Sequence, residues 1–182
     1  LPRKAFWPVF GVGAAVVFQG SAYLSSVAFI PVGLAVLLFY TYPLMVAVAT
    51  IIIDKQKIDR GRMIAFVVAF AGIGLAIGPS FAVLDWRGIV LALMGGFGVM
   101  LIFMFTGQAL KYVNFTTVSL YSNLIALPLM AVVMMVVMDG YQVPTTSLGM
   151  YGLLGVCVLY ALAILMQCAA IHSIGKTITA LL

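Results

Sequence analysis

Polar and ionisable side chains are few in this chain, so each can be weighed for the chemistry it would support. There is one histidine, His172, no glutamate, and four aspartates, Asp54, Asp59, Asp85 and Asp139. Two cysteines, Cys157 and Cys168, stand eleven residues apart. On one helix that spacing is about 16 Å of rise, beyond the reach of a disulfide, and no paired-thiol metal spacing is present. Catalysis by paired acids, or by several histidines around a metal, has no residues to draw on. The expectation is therefore no enzyme, no metal and no cofactor. The four aspartates fall between apolar runs, so none is placed where a proton relay inside a membrane would use it.

What remains are uncharged polar residues inside apolar runs, where each is costly unless it is hydrogen-bonded or faces water. Gln19 and Tyr23 are four apart and share one helix face. Tyr40, Thr41 and Tyr42 precede Pro43, which removes one helical hydrogen bond and predicts a kink that frees a carbonyl near Phe39. Tyr121, Ser122 and Asn123 open another run, with Pro128 further on, and Gln167 lies within the last complete one. Gln19, Tyr23, Tyr40, Asn123 and Gln167 are candidates to line a polar cavity for a small solute. The plainer reading is hydrogen bonding between helices, worth about 0.6 kcal/mol each. His172 and Lys176, one turn apart, are candidates for a gate or proton site, or interfacial residues that reach toward headgroups. Met130, Met134, Met135 and Met138 read as flexible packing rather than a copper site.

These residues sit in a chain of 182 residues that is 65% hydrophobic and 7% charged, with a mean hydropathy of +1.27. Soluble domains carry roughly 25% charged residues, so a water-exposed surface cannot be assembled here. The net charge of +5 is spread between apolar runs rather than gathered on one face, which excludes a nucleic-acid partner and names the lipid bilayer as the first one. A helix needs about 20 residues to cross the hydrocarbon. The intervals without Asp, Glu, Lys or Arg are Ala5–Ile53, Met63–Leu84, Gly88–Leu110, Tyr112–Met138 and Gly140–Gly175. The first holds two spans with a turn at Pro31, and each other interval holds one. Six full spans follow, with a partial seventh from Lys176. Barrel strands are short and alternate in polarity, whereas Leu34–Ile53 is almost continuously apolar, so the fold class is an all-α polytopic membrane protein.

Alternating the loops places Arg3, Lys4, the loop Asp54–Arg62, Lys111 and Lys176 on one side, eight of the nine basic residues. The positive-inside bias makes that side cytoplasmic. Asn114-Phe115-Thr116 matches a glycosylation acceptor but falls on this side and is set aside. The three glycines Gly95, Gly96 and Gly98 either let neighbouring helices approach or loosen their span.

A shift of 144 residues superposes Phe10-Gly11-Val12 on Leu154-Gly155-Val156 and Val27–Leu38 on Ile171–Leu182. The matched spans are five apart and cross in opposite directions, the pattern of inverted repeats in secondary transporters. A parent of about 290 residues with ten spans follows, of which this chain is a piece.

The run SAYLSSVAFIPVGLAVLLFYTYP (Ser21–Pro43), the basic loop DKQKIDRGR (Asp54–Arg62) and the glycine-rich IAFVVAFAGIGLAIG (Ile64–Gly78) together resemble the EamA family of the drug/metabolite transporter superfamily. IHSIGKTITALL (Ile171–Leu182) resembles the start of the same pattern repeated. The resemblance extends over essentially the whole chain. It implies ten helices in two inverted five-helix halves, residues 1–79 ending the first and 80–182 opening the second. It also implies export or exchange of a small-molecule solute at a bacterial cytoplasmic membrane. No oligomeric state is implied.

Overall fold

The computed structural model describes residues 2–54, 85–137 and 146–174, together with 61, 64, 67, 68, 71 and 72. Among these residues the chain is helical and contains no strand. The helices are α1 (Arg3–Ser26), α2 (Val32–Phe39), α3 (Tyr42–Asp54), α4 (Trp86–Ala109), α5 (Phe115–Val137) and α6 (Ser147–Ile174). α2 and α3 follow one another in a single apolar segment. Five segments are then long and apolar enough to cross a bilayer: Arg3–Ser26, Val32–Ile53, Trp86–Ala109, Phe115–Val136 and Ser147–Gln167. Each falls on an interval expected from the charge gaps. The interval Met63–Leu84 lies almost wholly outside the described residues.

Local chemistry sets where the helices begin and end. After α1 the N–H groups of Phe29 and Ile30 close back on the Ser26 carbonyl. Pro31 then holds an extended backbone (φ −56°, ψ 141°) at the head of α2, a place where its missing N–H is not needed. Asp85 caps α4 by accepting the Arg87 N–H at 2.9 Å. Asn114 caps α5 by accepting the Thr117 N–H at 2.9 Å, and it also accepts the Thr117 hydroxyl. Both caps satisfy a donor that the first helical turn leaves open.

α4 is the central element, packed by α1, by α2 and α3, and more lightly by α6. Glycines fix its register against α1. A Cβ placed on Gly11 would stand 2.9 Å from the Phe105 ring, one on Gly98 2.8 Å from Gln19 Cβ, and one on Gly95 3.1 Å from Tyr23 Cβ. One on Gly88 would stand 2.6 Å from Ile30 Cγ2. Residue numbers rise along α1 as they fall along α4, so the two run antiparallel. α5 runs parallel to α1: Gly13 meets Ser122 and Ile125, and the Ser21 hydroxyl lies 4.0 Å from Met130 Sδ. α2 turns back along α1, with Ile30 packed with Ala35 and Ala92 and the Tyr23 ring 4.7 Å from that of Phe39. α2 and α3 therefore run in the same direction as α4. Two further apolar clusters hold this arrangement, Val46, Ala49, Val99, Phe103 and Met104 between α3 and α4, and Val9, Val12, Ala15, Ile102, Ala109 and Val118 among α1, α4 and α5.

Candidate functional site

The second apolar segment is interrupted. Tyr40 N–H still bonds the Val36 carbonyl and Thr41 N–H the Leu38 carbonyl, and the next backbone bonds start at Leu44 and Met45, both onto Thr41. The N–H that would reach the Phe39 carbonyl in a continuous helix belongs to position 43, and proline has none. The segment therefore divides into α2 and α3 at Tyr40–Thr41, just before Pro43. The Thr41 hydroxyl donates to the Leu38 carbonyl at 2.7 Å, which helps to close the end of α2.

The break is pressed against α4 where α4 has no side chain. A Cβ on Gly96 would lie 3.0 Å from the Phe39 carbonyl oxygen, 3.6 Å from Thr41 Oγ1 and 3.7 Å from the Tyr42 nitrogen. Glycine at this position lets the uncompensated carbonyl lie against a Cα–H, a weak donor of the kind found where helices pack closely. Gly95 and Gly98 beside it receive Tyr23 and Gln19. The three adjacent glycines are thus filled notches.

Aromatic rings surround the break. Phe39 lies 5.8 Å from Tyr42 and 6.1 Å from Tyr40, Tyr40 lies 6.0 Å from Tyr42, and Tyr42 stacks on Phe103 at 6.2 Å. With Tyr23 these rings connect α1, the break and α4. Tyr40 is 44% exposed and forms the open edge of the cluster. The arrangement offers ring faces, phenolic hydroxyls and backbone polar groups, with no charged side chain among the described residues of the break. Such groups can stack and hydrogen-bond, and the described residues of the break supply no acid–base pair.

The structure thus brings three of the sequence candidates to one neighbourhood. Gln19 and Tyr23 share the α4-facing side of α1, and Tyr23 reaches Tyr40 through Phe39. Asn123 is exposed on α5, where its amide donates to the Ser119 carbonyl one turn back at 2.9 Å. Its polar group is satisfied within its own helix. Gln167 is half-buried on α6 and is not joined to the others by a contact among the described residues. The side chain of His172, on the last turn of α6, and the whole of Lys176 lie outside the described residues. Phe39 and Phe103 complete the cluster and carried no polar signal in the sequence. Among the described residues no group of His, Cys, Asp or Glu is placed to hold a metal ion.

A groove of about 470 Å³ runs between α3 and α4, lined by Leu44, Val48, Ile52 and Ile53 on one side and Phe97 and Met100 on the other. Its lining is apolar throughout, and none of the five polar candidates reaches it.

Among the described residues these features are those of a helical chain with five segments able to span a membrane, one of them discontinuous. No protein-family model matches the chain, and no curated protein matches it.

Proposed function

We propose that the chain is part of a secondary transporter of the EamA type, which moves small metabolites or drug-like solutes by efflux or exchange across the cytoplasmic membrane. In this reading two inverted halves rock about a midplane pocket, and Gln19, Tyr23, Tyr40, Asn123 and Gln167 contact the solute. The observation that carries it is the discontinuous second span. Transporters place their solute sites where a membrane helix is broken and its backbone groups are released, and irregular backbone is tolerated in lipid only where protein or a cavity covers it. Here the break coincides with the aromatic hydroxyl cluster and with the glycine face of α4.

The helix directions support six spans. α3 and α4 run the same way although they are consecutive described elements, which supports the expectation of one further crossing between Asp54 and Asp85. Thirty residues separate them, enough for a span of about 20. In this reading such a crossing keeps the alternation by which the positive-inside bias assigns the basic loops to the cytoplasmic side.

The test uses the full-length protein in cells, with Cys157 and Cys168 replaced and single cysteines placed at the five positions in turn. A charged, membrane-impermeant maleimide is expected to label Gln19→Cys, Tyr23→Cys and Tyr40→Cys. Preloaded labelled amino acids and ethidium serve as export probes, and a probe that is exported should protect the same positions. Failure of all five to react defeats the site assignment.

A second reading, a non-transporting assembly subunit of the membrane, is favoured by one observation: the groove between α3 and α4 is lined entirely by apolar groups. It predicts no export of any probe and no protected position.

A further inference from the structure

The register of α1 against α4 gathers charge at one end of the pair. Taking the Gly11–Phe105 contact as a level, Lys4 lies about 10 Å and Arg3 about 12 Å beyond it along α1, and Lys111 about 9 Å beyond it along α4, by helical rise. All three are exposed, and among the described residues none is held in an ion pair. Among the described residues the one acid side chain, Asp85, is at the opposite end of the pair beside Arg87. α3 also ends at the basic end with Asp54, whose side chain lies outside the described residues, and the sequence continues with Lys55, Lys57, Arg60 and Arg62 against Asp59.

Aromatic rings occupy the level just inside these cations. Trp7 is 73% exposed and Phe6 47%, while Tyr112, 50% exposed, follows Lys111 and stands level with the cations. Phe6, Trp7 and Phe10 contact one another at 5.8 to 6.3 Å rather than burying themselves against a neighbouring helix. Exposed rings followed outward by unpaired cations match the depth order of a lipid headgroup region, where amphipathic rings settle at the interface and Lys or Arg meet the phosphates.

We propose that the Arg3–Lys4–Lys111 end of the α1–α4 pair is a binding site for anionic phospholipid headgroups. The cations contact the phosphodiester, and Trp7 rests at the glycerol level. Charge complementarity selects anionic over zwitterionic lipid. Each cation near an anionic surface is worth a factor of about five in affinity. The site does not depend on the transport reading.

The two tryptophans, Trp7 and Trp86, provide the test because they mark opposite ends of the antiparallel pair. The full chain with Trp86→Phe is reconstituted into vesicles of brominated phosphatidylglycerol or brominated phosphatidylcholine in a matched background. Trp7 emission is expected to be quenched at several-fold lower mole fraction by the anionic lipid. Arg3→Gln, Lys4→Gln and Lys111→Gln together should equalise the two lipids. The Trp7→Phe protein, reporting from Trp86, should show no preference. Should the triple variant fail to fold, as judged by helical circular dichroism, raising salt on the Trp86→Phe protein should erase the preference stepwise. Equal quenching by both lipids overturns the proposal, as does a preference that survives removal of the three charges. Loss of the preference on adding soluble glycerol phosphate would assign the cations to a free phosphate and overturn it as well.

Discussion

α4 and α6 are built from similar material and are used differently. Both are long, apolar helices able to span a bilayer, and both carry several glycines. In α4 half of the most apolar stretch is buried, whereas in α6 none of it is. The glycines differ in the same sense. Gly88, Gly95, Gly96 and Gly98 of α4 are notches filled by Phe29 and Ile30, Tyr23, the Phe39 carbonyl and Gln19; a Cβ at Gly88 or Gly98 would collide, and one at Gly95 or Gly96 would stand only 3.0–3.1 Å from its neighbour. At Gly152 and Gly155 of α6 a Cβ would meet nothing within 4 Å. Apolarity therefore decides the solvent of a helix, while matched small residues decide which helix lies against which. In lipid the tails are as apolar as the side chains, so close packing must supply the attraction.

That contrast can be attacked at three places. The largest effect is expected at Gly98→Val. Its branched side chain would drive into Gln19 Cα and Cβ, both within 3 Å of the added Cβ, and no flexible tip is available to move aside. Overpacking of this kind costs about 2–3 kcal/mol, readable as a lowered midpoint of thermal unfolding in detergent. A midpoint within error of the parent protein would remove the notch argument. A smaller loss, about 1 kcal/mol, is expected from Asn114→Ala, which leaves the Thr117 N–H without its cap. Hydrogen exchange should then accelerate in the first turn of α5 and not in α4. The smallest effect belongs to Gly155→Ala. The open position accepts a methyl, and alanine favours the helix by less than about 1 kcal/mol. The unfolding midpoint should hold or rise slightly, and a clear fall would mean that α6 is as closely partnered as α4.

The sequence made the long-range layout readable because hydrocarbon tolerates so few charges. The gaps between Lys, Arg and Asp located the five described spans, and Pro31 and Pro43 located the turn and the break. The four-residue spacing of Gln19 and Tyr23 placed them on one face, and both do face α4. Facing direction elsewhere was not readable. Asn123 looked like a residue that needs a partner across helices, yet its amide finds the Ser119 carbonyl in its own helix, a local solution that composition does not distinguish from an interhelical one. Asn114 matched a glycosylation pattern, and its carbonyl oxygen is a helix cap. The glycines of α4 and α6 are alike in sequence, and the difference between a filled and an empty notch lies in residues distant along the chain. Phe39 and Phe103 gave no polar signal at all, although they complete the aromatic cluster.

The missing bond at Phe39 has a mechanical consequence. Bending an unbroken membrane rod stretches or severs a main-chain hydrogen bond in a medium with no water to replace it. At Tyr40–Thr41 that rupture has already been made by covalent structure, because proline never offered the donor. A change in the angle between α2 and α3 would therefore break no further bond to the Phe39 carbonyl.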